Sequence, residues 1–420
     1  MSQQKKQWGA IIVMIALFAM IAFVTNLCTP MATIIKNQGP ISNVLAQIGN
    51  YGNFVAYLVM GIPAGMLISK FGYKKTALIG LAVGATGILI QWISGLLDVE
   101  QNLGLVFAVY LIGAFIAGLC MCILNCVVNP MLNILGGGGN SGNQLIQLGG
   151  VFNSSAAVAC YILMGALIAD ATKAKIADAT PALMIALAIF VVAFIVISFT
   201  KIEEPEQAPV QLSLIKGAMS YRHFALGALA IFLYMGIEVG VPNFVQQYLI
   251  ADGIPGGTVG MLVAVYWFMM LIGRLVGASI GSKISSRTMI TTVSIATLVL
   301  VLFGMFAPTD ILVSFPGVDW GRLEVIWQPI PLGIFSFLLV GLCTSVMWGA
   351  IFNLAVEGLG KFTAIASGIF MTMVFGCAVM MAIQAAVADA TDYITSFWVV
   401  VFCAAYILFY ALVGSKPVKK

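Results

Sequence analysis

The sequence predicts an all-α membrane protein with twelve transmembrane helices in two six-helix bundles and with both termini in the cytoplasm. Of its 420 residues, 61% are hydrophobic and only 8% are charged, whereas soluble proteins carry about 25% charged residues. Apolar runs of about 18 residues or more, long enough to cross a bilayer, recur along the whole chain. Short motifs of the first half also recur in the second half, which indicates two copies of a six-helix repeat.

The first bundle is predicted at 1–200. Its first apolar run is followed by Thr25, Asn26 and Pro30 rather than by a small-residue cleavage site, so we interpret this run as a retained span and not as a signal peptide. Polar, charged or glycine-rich segments then separate the runs from one another. The six predicted spans are 8–29, 46–69, 75–97, 104–134, 146–169 and 180–200.

The second bundle is predicted at 223–420. It follows a polar stretch at 201–222, whose sequence KIEEPEQAPVQLSLIKGAMSYR is typical of a solvated linker because of its Glu, Gln and Pro content. The six predicted spans of this half are 223–248, 257–282, 288–308, 330–356, 363–388 and 393–415.

Lysine and arginine residues are distributed unequally between the two sides of the predicted helices. With the N-terminus inside, the outer loops contain only Lys36, Lys173, Lys175 and Arg322, and the inner loops and termini contain the rest of the loop cations. Cytoplasmic loops normally carry the excess of Lys and Arg. The distribution therefore predicts that both termini and the linker are cytoplasmic.

One glycine motif occurs at corresponding positions of the two halves. Gly61-x-x-x-Gly65 in the second predicted span recurs as Gly273-x-x-x-Gly277 in the eighth. Small residues at this spacing let two membrane helices approach closely. The recurrence favours an internally repeated helix bundle, which is typical of transporters that alternate access around a central site.

Glu238 is an acidic residue near the middle of a predicted span. A charge at membrane depth costs about 3 kcal/mol on insertion scales and normally faces a cavity or a partner. One hypothesis is that Glu238 titrates or coordinates a cation and also accepts hydrogen bonds from a ligand. The other is a structural ion pair with Arg274, whose side chain we otherwise expect to pack or to reach towards the cytoplasmic interface.

Amide side chains are concentrated on a few predicted spans. In the fourth span, Asn125, Asn129 and Asn133 have an i, i+4, i+8 spacing that puts them on one helix face. Such a stripe is costly in lipid, so it either faces a pore or hydrogen-bonds neighbouring helices. Asn243 and Gln246 follow Glu238 on the seventh span and extend its polar face.

The segment 65–75 reads GMLISKFGYKK. It resembles the signature loop between the second and third helices of the major facilitator superfamily, in which an acidic residue usually stands at the position of Ser69. The resemblance implies a role in conformational change, with a weaker charge latch because of that serine. The residues assigned to this role are Gly65, Lys70, Gly72, Lys74 and, in the eighth span, Arg274.

Further motifs follow in a fixed order. LNCVVNPMLNILG at 124–136, QLGGVFNS at 147–154 and YMGIE at 234–238 resemble the fucose–galactose–glucose:proton symporter family of this superfamily. The resemblance implies the major facilitator fold and ion-coupled uptake of a hexose-like monosaccharide by alternating access. It also implies a multi-pass protein of a bacterial inner membrane.

The chain departs from that family at two acidic positions. The family's first-helix aspartate aligns with Asn26, and its fourth-helix glutamate aligns with Asn125. Amides keep their hydrogen-bonding capacity but cannot titrate, so proton coupling through these two positions is excluded. Glu238 is then the remaining candidate for coupling to a proton or sodium ion. The alternative is a facilitator in which Glu238 only binds or packs.

The predicted substrate-binding residues have polar or aromatic side chains that suit sugar hydroxyls or a sugar ring. Asn153 matches the family's substrate-side asparagine. Trp348 could stack on a sugar ring, although helix packing explains it equally well. The set is Asn26, Asn125, Asn129, Asn153, Glu238, Asn243, Gln246, Trp348 and Asn353.

Several function classes are excluded by the residues that the chain lacks. All eight cysteines fall in apolar runs and indicate packing residues rather than disulfides or metal ligands. A single histidine, His223, borders a span and supplies no nucleophile–base set. We therefore predict neither an enzyme nor a bound cofactor or metal, and no nucleic-acid partner.

The expected partners are a sugar, a co-transported proton or sodium ion, and the lipid bilayer around a monomer. Two alternatives stay open from the residues. One is a transporter of an acidic sugar or another organic anion, and the other is a non-coupled facilitator or exporter of the same superfamily.

Overall fold

The structure, a computed structural model, describes residues 7–97, 99–136, 139–168, 174–202, 204, 212–280, 284–320, 322–359 and 362–416. Within these residues, eleven helices are long and apolar enough to cross a membrane. One of them, α4 (Ile48–Ser94), has 47 residues. At 1.5 Å per residue it is about 70 Å long, more than twice the ~30 Å of the hydrocarbon core, so it contains two crossings and the described chain has twelve.

The first half of the chain is helical from its first described residues. The first span consists of two helices that meet at Leu27, and it runs to Lys36 rather than ending near residue 29 as predicted. Pro30 does not stop it, because proline is tolerated in the first turn of a helix, where its missing N–H has no intrahelical partner. The helices are α1 (Trp8–Asn26), α2 (Cys28–Lys36), α3 (Asn43–Ala46), α4, α5 (Val99–Leu135), α6 (Gly139–Leu167) and α7 (Thr180–Phe199).

The second half repeats this pattern after the linker. Residues 203 and 205–211 of the linker, like Lys173 in a predicted outer loop, lie outside the described residues. The helices are α8 (Ile215–Met219), α9 (Arg222–Ala251), α10 (Gly256–Ile280), α11 (Ser286–Phe306), α12 (Leu332–Val356), α13 (Thr363–Met373), α14 (Gly376–Ala390) and α15 (Trp398–Phe409), which continues as a π-helical turn, Tyr410–Gly414.

A β-hairpin joins α11 to α12 where we expected only a loop. Strands β1 (Leu312–Asp319) and β2 (Glu324–Pro331) pair antiparallel. One face of the hairpin packs on the protein: Gly317 lies against Thr258 at the start of α10, and the Phe315 ring lies 6.0 Å from that of Phe335. The test for long apolar runs misses such strands because their side chains alternate between two faces.

Helices of each half pack mainly with one another and form two bundles. In the first, α4 packs on α5 and α7, and α1 packs on α5 and α6; in the second, α12 packs on α9, α10 and α11. The bundles meet where α6 packs on α10 and where α4 packs on α13 and α14. Gly260 makes the first contact close, since a Cβ there would lie 2.6 Å from the carbonyl oxygen of Tyr161.

The two ends of the molecule differ in the elements that they carry. The Lys36 end contains the end of α2, the short helix α3, the hairpin and the end of α14. The Gly72 end contains the break in α4, where Gly72 has φ +78°. Glycine adopts this left-handed conformation without a steric penalty.

Candidate functional site

Glu238 lies midway along α9 and is half-buried. The Tyr234 hydroxyl, one turn earlier, is within hydrogen-bonding reach of its carboxylate and lies 3.3 Å from the carbonyl oxygen of Thr344. Because the hydroxyl has a single proton, it donates either to the carboxylate or to the carbonyl. The half-buried Trp348 ring of α12 lies 6.2 Å from the Tyr234 ring. Helices α9 and α12 thus bring a carboxylate, a phenol and an indole together.

Arg274 on α10 contacts the first bundle instead of pairing with Glu238. Its Nη1 donates to the Gly150 carbonyl at 2.5 Å, to Ser154 Oγ at 2.9 Å and to Asn153 Oδ1 at 3.3 Å, all on α6. In the described part of the chain, the only ion pair is Arg322 with Asp319. Of the two expectations for Arg274, the structure agrees with packing inside the protein, because the close contact of α6 and α10 offers acceptors to the guanidinium.

Asn153 is bonded on both sides of its amide. Its Nδ2 donates to the Phe18 carbonyl of α1 at 2.9 Å, while its Oδ1 accepts from Arg274. The side chain is half-buried. One Nδ2 hydrogen and one Oδ1 lone pair of this amide therefore remain for a ligand.

Three further asparagines donate hydrogen bonds within the first bundle. Asn125 Nδ2 lies 3.0 Å from the Tyr57 hydroxyl of α4 and 3.1 Å from the Met121 carbonyl, and Asn129 Nδ2 lies 3.1 Å from the Asn125 carbonyl. Asn26 is buried and donates to Ala22 O at 2.8 Å. These bonds use the Nδ2 donors, so the half-buried Asn125 and Asn129 keep Oδ1 acceptors for a ligand hydroxyl. Asn133 lies where side chains are not described.

Nearer the Lys36 end, buried polar side chains form what we call the amide cluster: Thr29, Gln47, Asn50, Asn243 and Gln247. Asn243 Oδ1 accepts from Gln47 Nε2 at 2.8 Å and from Gln247 Nε2 at 2.5 Å. Asn243 Nδ2 in turn donates to Gln47 Oε1 and to Thr29 Oγ1, both at 3.2 Å. The cluster joins α9 of the second bundle to the first bundle.

Gln246 makes a second link of this kind. Its Nε2 lies 3.3 Å from Thr33 Oγ1 on α2, and both side chains are buried. Asn353, by contrast, is exposed. The structure thus brings Glu238 and Trp348 together at the centre, Asn153 and Arg274 towards the Gly72 end, and Asn243 and Gln246 towards the Lys36 end.

Sequence reasoning missed Gln47 and Thr29. A signal for the first was present, since Gln47, Asn50 and Asn53 have an i, i+3, i+6 spacing that places three amides on one face at the start of α4. All three are buried. No comparable signal exists for Thr29, because one threonine after an apolar run is common.

The break in α4 at the Gly72 end is held by a residue from the linker. Glu204 accepts from the backbone N–H groups of Tyr73 at 2.5 Å and Lys74 at 3.0 Å, which caps the helical segment that starts there. Lys74 Nζ donates to Ser198 O and Thr200 O at the end of α7, at 3.0 and 2.8 Å. A carboxylate thus reaches this loop even though Ser69 replaces the usual acid. Lys70 is exposed, and Gly65 is half-buried within α4.

At the Lys36 end, α14 and the turn after it contact α2 and α3. Asp389 accepts from the backbone N–H groups of Asn43 at 2.7 Å and Val44 at 3.0 Å. Lys36 Nζ donates to Asn43 Oδ1 and to the Tyr393 hydroxyl. Lys36 and Tyr393 also line a cavity of about 570 Å³ that includes Gln247 of the amide cluster.

Comparison with known proteins identifies the family. The model of the Major Facilitator Superfamily matches residues 10–382. The chain belongs to the major facilitator superfamily. Membership agrees with the twelve crossings in two bundles and confirms the predicted all-α membrane fold, while the cytoplasmic position of both termini stays a prediction.

Members of the superfamily match along nearly the whole chain. A glucose/galactose transporter of Brucella abortus is 30% identical over 99% of this chain and 96% of its own length. The L-fucose-proton symporter of Escherichia coli is 21% identical over 96% of this chain and 92% of its own length. A crystal structure of the E. coli fucose:proton symporter superposes with a TM-score of 0.69 and 19% identity, covering 98% of this chain and 100% of that one.

These matches confirm the resemblance to the symporter family of the superfamily that the motifs indicated. The relatives are transporters by name, so the prediction that the chain is not an enzyme is also confirmed. Family membership and the eleven apolar helices confirm a multi-pass protein of the bacterial inner membrane.

Proposed function

We propose that the chain is a secondary transporter that moves a hexose-like monosaccharide across the membrane by alternating access. The observation that carries this proposal is the set of amide, carboxylate and aromatic side chains that line the two bundles at mid-depth, in a chain 30% identical to a glucose/galactose transporter. Neighbouring sugar hydroxyls each donate and accept, which matches amide groups that present both a donor and an acceptor.

The residues have separate roles in this proposal. Trp348, already packed on Tyr234, offers a face for the apolar side of a sugar ring. Asn125 and Asn129 accept hydroxyl hydrogens through Oδ1. Asn153 joins them through the Nδ2 hydrogen and the Oδ1 lone pair that its bonds to Phe18 and Arg274 leave free. Asn26, Asn243, Gln246 and Asn353 complete the proposed path, of which Asn353 has the weakest support because its side chain is exposed.

Glu238 carries the ion coupling in this proposal. It is the sole acidic residue in the middle of an apolar helix, and the Tyr234 hydroxyl lies beside it. A proton or sodium ion that neutralises the carboxylate removes a charge from membrane depth, which lowers the cost of reorienting the bundles. Proton coupling is supported by the fucose relatives, which are proton symporters, and sodium is the other cation to test.

We further propose that the Lys36 end faces the periplasm and that the structure is closed there. The unequal distribution of Lys and Arg supports this orientation. The hydrogen bonds of Asp389, Lys36, Asn243 and Gln246 cross between the bundles at that end. The bundles are assigned to 1–200 and 223–420, with 201–222 as a cytoplasmic linker and the monomer as the working unit.

Uptake in proteoliposomes tests the function. The wild-type protein is expected to concentrate radiolabelled glucose or galactose under an imposed proton or sodium gradient. Glu238→Gln should abolish concentrative uptake and keep equilibrative exchange, whereas Glu357→Gln, at the exposed end of α12, should keep both activities. Concentrative uptake by Glu238→Gln with unchanged ion dependence would refute the coupling role.

Thermal stabilisation by ligands tests the substrate class independently of coupling. A ligand that binds the folded state raises the apparent melting temperature according to its concentration relative to its Kd. Neutral hexoses should stabilise the purified protein, and sugar acids should not. Stabilisation by sugar acids alone would support the organic-anion alternative instead.

A further inference from the structure

Gln47 makes a two-bond contact with Asn243 that joins the bundles inside the Lys36 end. Its Nε2 donates to Asn243 Oδ1 at 2.8 Å, and its Oε1 accepts from Asn243 Nδ2 at 3.2 Å. Gln47 stands at the start of α4 in the first bundle, and Asn243 lies on α9 in the second. Both side chains have 0% exposure. Donor and acceptor of one amide are therefore matched by donor and acceptor of the other.

This amide pair stabilises the closed Lys36 end. Hydrogen bonds are stronger in a low-dielectric interior than in water, and a buried polar group that loses its partner is unfavourable. When the bundles separate at this end, Gln47 and Asn243 lose both bonds at once. Water replaces these bonds when the end opens, but at a net loss of free energy, so a ligand that supplies a matching donor and acceptor favours the open state.

The cavity at the Lys36 end reaches Gln247, which is hydrogen-bonded to Asn243 of this pair. Its volume of about 570 Å³ lies within the range of roughly 300–1,000 Å³ that is typical of small-molecule sites. Gln247 lines this cavity and also donates to Asn243 at 2.5 Å. Gln247 is 2% exposed, and its Oε1 has no hydrogen-bond partner in the described part of the chain. A ligand in the cavity therefore meets the amide cluster through Gln247.

We propose that Gln47 is a specificity-determining residue that occupies the Asn243 amide in place of the sugar. When the Lys36 end opens, two adjacent sugar hydroxyls take over the bonds to Asn243, and Gln47 takes them back as the sugar moves inwards. Only a ligand with a donor and an acceptor at the right separation replaces the glutamine. This exchange rests on the proposed sugar transport.

The first test measures opening of the Lys36 end without any sugar. Ile34 is 1% exposed and lies in the crevice between the bundles beside Gln246, so Ile34→Cys in a background without the native cysteines reports on opening. Gln47→Met keeps the side-chain length and removes the bonds to Asn243. Labelling by a membrane-impermeant maleimide should become about 5- to 30-fold faster, the factor expected for the loss of one or two such bonds.

A matched control is Gln91→Met. Gln91 is also buried on α4 but packs against Gly113 of the same bundle. This variant should change the labelling rate less than twofold. Unchanged labelling in Gln47→Met, or an equal increase in Gln91→Met, would overturn the role of Gln47.

The second test separates a competitor of the sugar from a direct sugar ligand. If Gln47 competes with the sugar for Asn243, Gln47→Met should lower the KM for glucose or galactose uptake from the Lys36 side. The decrease should be up to about 5- to 30-fold, the factor expected for labelling, because the binding-competent state is more populated. Asn243→Ala should raise that KM. A raised or unchanged KM in Gln47→Met would overturn the exchange. A wild-type protein that neither binds nor transports hexoses would refute the proposed function and the exchange together, while the labelling result stands by itself.

Discussion

Replacement of Arg274 by methionine is expected to weaken the contact between α6 and α10 at the Gly72 end. Three acceptors lie near Nη1, but this nitrogen carries two hydrogens, so the contacts amount to two hydrogen bonds. A hydrogen bond to a charged group contributes about 1.5–3 kcal/mol, and Arg274 is half-buried, so we take the low end. Loss of both bonds then destabilises this state by about 3 kcal/mol.

The melting temperature of the purified protein measures this loss. One kcal/mol corresponds to about 2–4 °C for a unit of 150–250 residues, so Arg274→Met should melt about 6–12 °C lower if each bundle unfolds as a unit. The melting temperature of Arg274→Lys should lie between those of the wild type and Arg274→Met, because lysine keeps the charge without the planar guanidinium group. Arg287→Met is the control, since Arg287 is half-buried and has no side-chain hydrogen bond within the described residues. If Arg274→Met melted within 1 °C of Arg287→Met, the argument from the three contacts would be refuted.

Three other changes test single contacts. Asn153→Ala should raise the KM for hexose uptake about tenfold at normal membrane levels, the factor for about 1.4 kcal/mol, and an unaltered KM would exclude a binding role. Glu204→Gln should lower the melting temperature more than Glu324→Gln at the exposed start of β2, because Glu204 caps the segment after Gly72; equal effects would contradict the cap. Hydrogen bonds from Thr395 hold the pKa of Asp392 below its usual range, so its contribution to stability is present above the ordinary pKa of aspartate and lost as pH falls. Asp392→Asn should therefore lower the melting temperature at pH 7, and a pH series of melts should show this difference shrinking as the pH falls below the ordinary pKa of aspartate.

The apolar runs predicted the fold class because they report a local property. A helix must be about 20 apolar residues long to cross a bilayer with its backbone groups satisfied, and this requirement is visible in any window of the sequence. The same reasoning failed at the hairpin between α11 and α12, because its two eight-residue strands are too short to be detected as apolar runs. It also predicted that the first span ends too early. Pro30 lies in the first turn of α2, which begins after Leu27, and at that position it does not stop the helix.

The hydrogen-bond partners of individual side chains could not be predicted from the sequence in the same way. Amide stripes such as Asn125 and Asn129 indicate a polar helix face, but which helix lies opposite depends on contacts between residues far apart in sequence. Arg274 illustrates this limit, because its acceptors on α6 lie more than a hundred residues earlier in the chain.

Composition and segment length were enough to predict the membrane-spanning helices and to single out the isolated charge of Glu238, because they are properties of one segment at a time. The tertiary structure was needed to show that Arg274 bonds across to α6 and that Gln47 pairs with Asn243. These contacts depend on how the two bundles are placed against each other. The placement of the bundles changes during alternating access, so a contact between them depends on the conformational state as well as on the sequence.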